Sequence, residues 1–175
     1  MIAGLGHDVV NVAQFAEQMR EGNGWRALFS VRELRQCSLR SDTKHDDEAL
    51  HIAARWAGKE AVIKAWCEAL AIGDTTYPYT LDNMPWAGIE ILDDSHGCPR
   101  VELAQEVQNK LYESVYESVS QKLSQELSDS TNLTNLPNSH RDIRNTIRWH
   151  ISLTHDGSVQ NNTAVASAVA ILEIL

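Results

Sequence analysis

The sequence predicts an α+β fold in which a small antiparallel sheet packs on one long central helix. Apolar residues recur at three-and-four spacing from about Glu48 to Leu70, which marks a helix long enough to be the spine of a domain. Both ends of the chain are β-prone, and a pair of short β-prone runs around a turn lies in the middle. At 175 residues with 43% hydrophobic composition, the chain has the length and the apolar content of one domain with its own core.

In chain order, Ile2 to Val12 is rich in glycine and valine and reads as the first strand, with Asp8 inside it or at its end. A short helix follows near Ala13 to Glu21 and closes in the glycine-broken turn Gly22-Asn23-Gly24. Ser30-Val31-Arg32-Glu33 has the capping-box order, so a helix starts there and is expected to run to about Cys37; the polar run Ser41 to Glu48 reads as a loop. Ile52, Trp56, Ile63, Cys67 and Leu70 form the stripe of the long helix, and Gly73 supplies its stop. Gly88 to Leu92 and Pro99 to Leu103 flank Asp93-Asp94-Ser95-His96-Gly97, whose residues tolerate unusual backbone angles, and form a hairpin. A second helical pattern runs from Ala104 to about Leu127, and the small polar run from Ser128 through Ser139 reads as a mobile surface loop. Trp149 to Leu153 and Ala164 to Ile174, either side of Asp156-Gly157, read as two closing strands.

The net charge of -9 argues against a nucleic-acid binder. Met1 to Lys64 is balanced, and the whole acidic excess follows it. Within the balanced part, Arg20, Arg26, Arg32, Arg35 and Arg40 face only Glu21 and Glu33, a local basic stretch that is either a docking patch for an acidic partner or a solvated helix face. The N-terminus meets Asp8 too soon for a signal peptide, and no apolar run approaches the roughly 18 residues that span a bilayer, so a cytoplasmic protein without membrane contact is expected. Cys37, Cys67 and Cys98 are odd in number and lack paired or zinc spacing, which reads as ordinary reduced thiols.

Two carboxylates carry the chemistry. Glu60 interrupts the apolar stripe of the long helix, where an unpaired charge is costly and is normally paired or bound to a metal. Lys64, one turn later, is the available helix partner, and a plain Glu60–Lys64 pair is the structural alternative. Asp8 sits between Gly4-Leu5-Gly6 and Val9-Val10, where the glycines would let a ligand come close to the backbone; its alternative is a strand-end aspartate capping a turn. Two carboxylates on separate rigid elements, with lysines near one, suit Mg²⁺ whose shell is completed by phosphate oxygens and water.

Three separated motifs resemble the holo-acyl-carrier-protein synthases, a family of 4′-phosphopantetheinyl transferases. They are Gly4-Leu5-Gly6-His7-Asp8-Val9-Val10, Arg55-Trp56-Ala57-Gly58-Lys59-Glu60-Ala61-Val62-Ile63-Lys64-Ala65, and Ile151-Ser152-Leu153-Thr154-His155, joined by the glycine-x-proline hairpin Gly97-Cys98-Pro99. The wording of Ala54-Arg55-Trp56 and Leu153-Thr154-His155 is similar to the actinobacterial branch. The resemblance implies the phosphopantetheinyl transferase fold and transfer of the phosphopantetheine arm of coenzyme A to a serine of an acyl carrier protein, or of the carrier domain of a fatty-acid synthase, with release of 3′,5′-ADP. It implies that Asp8 and Glu60 bind Mg²⁺, that Lys64 lies near the reacting phosphate, and that Lys59 and Arg55 contact nucleotide phosphates. His155 would contact phosphate or take the serine proton, and Gly97, Pro99 and Thr154 would belong to the coenzyme A site. It also implies a homotrimer with active sites between subunits, Asp8 from one chain and Glu60 from the next in some descriptions.

The chain departs from the family in two places. Ala13-Gln14-Phe15 stands where members often carry an arginine for docking the carrier, a loss for which the basic stretch is the candidate compensation. Residues of about 104–148 form a helix and loop longer than in compact members, an insertion in an otherwise single domain over 1–175. A non-catalytic coenzyme A or nucleotide-binding module, and a structural protein with fossil motifs, are the readings from other classes.

Overall fold

In the computed structural model, which describes residues 1–129 and 146–175, the two ends of the chain close one sheet. Strand β1 (Ile2–Asn11) pairs antiparallel with β5 (Val165–Ile174), and β5 pairs antiparallel with β4 (Ile147–Asp156), giving the order β1-β5-β4. The expected hairpin forms a separate two-stranded sheet of β2 (Ile89–Asp93) and β3 (Pro99–Leu103).

Helix α3 (Glu48–Ala71) lies across the inner face of the larger sheet, and small residues on both sides set the approach. Ala57, Ala61 and Ala65 of the helix and Ala166, Ala168 and Ala170 of β5 are all buried. A Cβ on Gly4 would stand 1.9 Å from the carbonyl oxygen of Ala65, and one on Gly6 would stand 1.9 Å from that of Ala61. These glycines admit the helix, not a ligand, which corrects the reason given for them above. The stripe is corrected too: Cys67 is exposed and Trp56 and Ile63 are half-buried, while the alanine-rich face carries the contact.

Helix α1 (Val12–Glu21) starts on Asn11, whose side chain accepts from the Gln14 amide. Helix α2 (Val31–Lys44) has the expected capping box at Ser30 and Glu33 but runs well beyond Cys37, ending on His45 in the left-handed region. Its last turns contain no glycine or proline and place polar residues outward, so a wet helix face imitates a loop in sequence. Only His45 to Asp47 remains between α2 and α3.

Helix α4 (Gln105–Asp129) is part of the core. It buries Val107, Leu111 and Val115, takes the Trp66 indole N–H on Ser114 Oγ at 3.0 Å, and takes the Gly73 amide on Ser118 Oγ at 2.9 Å. Beyond Asp129, the loop expected through Ser139 lies outside the described residues.

Buried side chains gather in two clusters. One joins the C-terminal half of α3 to the sheet, β2 and α4, and the other joins its N-terminal half to α1, α2 and the short turn Gly24–Leu28. The polar residues Arg55, Lys59 and Glu60 fall where the two meet. Among the described residues no helix is long and apolar enough to cross a membrane.

Candidate active site

Strand alternation places the first functional side chains. Ala166, Ala168 and Ala170 face α3, and their cross-strand partners Val10, Asp8 and Gly6 share that face. On the other side of β5, His155 pairs with Ala166 and Leu153 with Ala168, so His155 also faces the helix. Thr154 falls on the opposite, exposed face and is not brought to the cavities described below.

Asp8 and the middle of α3 meet over a cavity of about 310 Å³ lined also by Gln14, Phe15, Gln18 and Trp56. Lys64 Nζ donates to Asp8 Oδ1 at 2.8 Å and to the His7 carbonyl at 3.2 Å. Lys64 therefore crosses to the strand instead of pairing with Glu60, and Asp8 sits within β1 instead of capping a turn. Glu60 is half-buried and makes no hydrogen bond or ion pair with any described residue. Burial raises its pKa above the ordinary glutamate range and the Asp8 charge raises it further, while Lys64 works against both. Asp8, Glu60 and Lys64 come together within one chain, so a second chain is not required to assemble them.

Among the described residues there is no cluster of three or more His, Cys, Asp or Glu able to hold a metal ion by itself. Two neighbouring carboxylates, one without a partner, fit a hard cation such as Mg²⁺ that takes its remaining ligands from phosphate and water. Transition-metal ions that favour imidazole or thiolate find no such set among the described residues.

Five residues earlier on α3, about 7.5 Å along its axis, Arg55 opens onto a second, smaller cavity of about 90 Å³. Arg40, His51, Gly97, Pro99 and His155 share its wall. Arg55 is 4% exposed; one terminal nitrogen donates to Asp93 Oδ2 at 2.6 Å, and its Nε has no partner. Arg40 Nε pairs with the same Asp93 oxygen at 2.7 Å, and another Arg40 nitrogen donates to the Gly97 carbonyl at 3.2 Å. Gly97 has φ +78°, a left-handed conformation that favours glycine, and a Cβ there would stand 2.9 Å from the Arg40 guanidinium and push it aside. His51 is held by Asp46 at 2.7 Å and meets the His155 ring edge-on at 5.0 Å between centroids. Burial, and then the charges of His51 and Lys44, hold the His155 pKa below the ordinary histidine value. Two guanidiniums against one partly buried carboxylate, with an unused N–H, leave this cavity short of negative charge.

Lys59 is placed elsewhere than the resemblance implies. It is wholly buried, and its ammonium donates to Glu33 Oε2 at 2.8 Å, the Trp86 carbonyl at 2.8 Å and the Ile89 carbonyl. Three participants were missed in sequence: Arg40, His51 and Asp93. His51 lies one turn before Arg55 on the same helix face, a signal the sequence does carry; in sequence Arg40 reads only as part of a basic stretch, and Asp93 only as a turn residue. Of that stretch, Arg32 is paired with Glu90 and Glu102 and Arg40 with Asp93, while Arg20, Arg26 and Arg35 are exposed.

An α+β chain with two carboxylates over one cavity, a lysine paired to one of them, and an anion-deficient, arginine-lined cavity along the same helix has the donors of a protein that binds a cation together with phosphates. The chain belongs to the 4′-phosphopantetheinyl transferase superfamily, whose family model matches residues 4–130. It is 46% identical over 173 residues to the holo-[acyl-carrier-protein] synthase of Bifidobacterium animalis subsp. lactis, covering 98% of this chain and 97% of the relative. It is 60% identical over 117 residues to the holo-[acyl-carrier-protein] synthase of Bifidobacterium adolescentis, covering 63% of this chain and 77% of that protein. A solved ACPS–CoA complex from Chronobacterium ammoniagenes aligns with TM-score 0.68 and 29% identity, covering 98% of this chain and 97% of that one.

Proposed function

We propose that this chain transfers the 4′-phosphopantetheine group of coenzyme A to a serine of an apo acyl carrier protein or carrier domain, in fatty acid biosynthesis in the cytoplasm. The observation that carries the reading is Glu60: a half-buried carboxylate with no hydrogen-bond partner among the described residues, beside Asp8 and five residues along α3 from Arg55, which walls a second cavity with Arg40. Family membership and the curated function of the Bifidobacterium relatives support it.

Asp8 and Glu60 would hold Mg²⁺, which when bound neutralises charge on the coenzyme A diphosphate and on the departing phosphate. Arg55, with its free Nε, and Arg40 and His155 receive a nucleotide phosphate, and Gly97 and Pro99 form the adjoining wall. The carrier serine oxygen bonds to the β-phosphorus, the bond from that phosphorus to the bridging oxygen breaks, and 3′,5′-ADP leaves; the serine proton is released. Lys64, already beside Asp8, offsets the negative charge that develops at the reacting phosphate. Lys59 is left out of the phosphate contacts because its donors are used within the chain.

Two features support the remaining expectations. The outer face of the larger sheet exposes Leu5, Val9, Val165 and Val169, an apolar surface suited to a homotrimer, and sedimentation should give a mass of about three chains, against one if that face stays open. Arg20, Arg26 and Arg35 form the exposed basic surface for an acidic carrier. The transfer reading is tested by incubating the chain with coenzyme A and an apo carrier: 3′,5′-ADP should appear only when Mg²⁺ and the carrier are both present. Binding of coenzyme A without that release would make the chain a binding module.

A further inference from the structure

Lys59 and Glu33 form an ion pair that no surface reaches, since both side chains are 0% exposed. The three N–H groups of Lys59 are used by Glu33 and by the carbonyls of Trp86 and Ile89. Glu33 also accepts from the Ser30 amide at 2.9 Å and from the Ile91 amide at 2.9 Å. The pair thereby joins the first turn of α2, the middle of α3 and the start of β2.

Each joined element carries part of a cavity wall. Helix α2 carries Arg40, and β2 ends on Asp93, whose Oδ2 receives both Arg40 and Arg55. Gln36 of α2 brackets the Asp93 backbone, donating to its carbonyl at 3.0 Å and accepting from its amide at 2.9 Å. On the other side, Trp86 packs on Trp56 at 4.6 Å between centroids, and Trp56 lines the cavity of Asp8 and Glu60. An apolar pair of equal size would stabilise such a junction as well as an ion pair does, since burying two charges is costly. What the ions add is a fixed set of hydrogen-bond directions.

We propose that Glu33 and Lys59 are positioning residues, whose buried pair sets the distance of α2 and the β2 hairpin from α3 and so presents Arg40 and Arg55 to a nucleotide phosphate. This rests on the coenzyme A reading above. It assigns the first lysine of the Lys59-Glu60 motif to the interior, not to the ligand.

The test is calorimetric titration of the full chain with 3′,5′-ADP, alongside steady-state kinetics. Glu33→Gln and Lys59→Met should each weaken 3′,5′-ADP by about tenfold, with the double variant no weaker than either single one. In kinetics the loss should fall mainly on the KM for coenzyme A. A direct phosphate role would instead weaken Lys59→Met and spare Glu33→Gln, which overturns the proposal. Lowered melting temperatures with unchanged 3′,5′-ADP affinity, measured well below melting, would reduce the pair to a stabiliser and overturn it as well. If Lys59→Met does not fold, Glu33→Gln, which keeps the side-chain size, decides alone. Failure of the unmodified chain to bind 3′,5′-ADP would remove the nucleotide reading and this proposal with it, whereas binding that Glu33→Gln leaves intact removes only the proposal.

Discussion

Glu60 concentrates the conflict between stability and function in one side chain. Its pKa in the folded chain lies above the ordinary value of 4.5, so the native state holds its proton more tightly than the unfolded state does. The stability this contributes is complete below the unfolded value and is lost as the pH rises through the raised value. At neutral pH without metal, Glu60→Gln should therefore melt higher than the native chain, the gain disappearing as the pH falls below the glutamate range, while kcat/KM drops by about 100-fold or more. A destabilised Glu60→Gln chain at neutral pH would show that Glu60 has a structural partner. Asp8 and Glu60 were legible in the sequence because each is a charge in apolar company. Lys59 was not, because neighbouring residues on a helix project about 100° apart and a linear motif does not say which one faces the ligand. Arg40 and Asp93 reach the site only through tertiary contacts of α2 and β2 with α3, whereas His51 shares a helix face with Arg55.

At the level of elements, the strands, the hairpin and the long helix were readable because alternation, turn residues and three-and-four spacing are local signals. The length of α2 was not, since its polar last turns look like a loop. The contact face of α3 was misjudged for a related reason: a search for large apolar residues passes over alanines, and here alanine and glycine set the distance between helix and sheet. This close approach brings Asp8, two residues beyond Gly6 on the same strand face, to the level of Lys64. Gly6→Ala should destabilise the chain by about 3 kcal/mol in denaturant unfolding, because the Ala61 backbone must move. The same shift should lower kcat/KM by about 100-fold in whatever folded fraction remains, through the displacement of Asp8 from Glu60. An alanine accepted at Gly6 with unchanged stability would contradict the contact.

For the molecule as a whole, the first and last strands pair side by side, and the cavities lie where two hydrophobic clusters meet along α3. The sheet turns its small residues to the helix and exposes Leu5, Val9 and Val169, and a single chain's sequence does not reveal that these fall on one open face until the register of β1 against β5 is known. The chain is acidic overall, yet Arg20, Arg26 and Arg35 stand exposed on α1, the short turn after it and α2, so an acidic partner docking there would meet a local charge opposite to the global one. All of this converges on one covalent event, and the mass of the carrier reports it most directly. An apo acyl carrier protein incubated with coenzyme A, Mg²⁺ and this chain should gain the mass of one phosphopantetheine arm at its serine, and should gain nothing with Asp8→Ala. No mass gain with the native chain, or an equal gain with Asp8→Ala, would contradict the account.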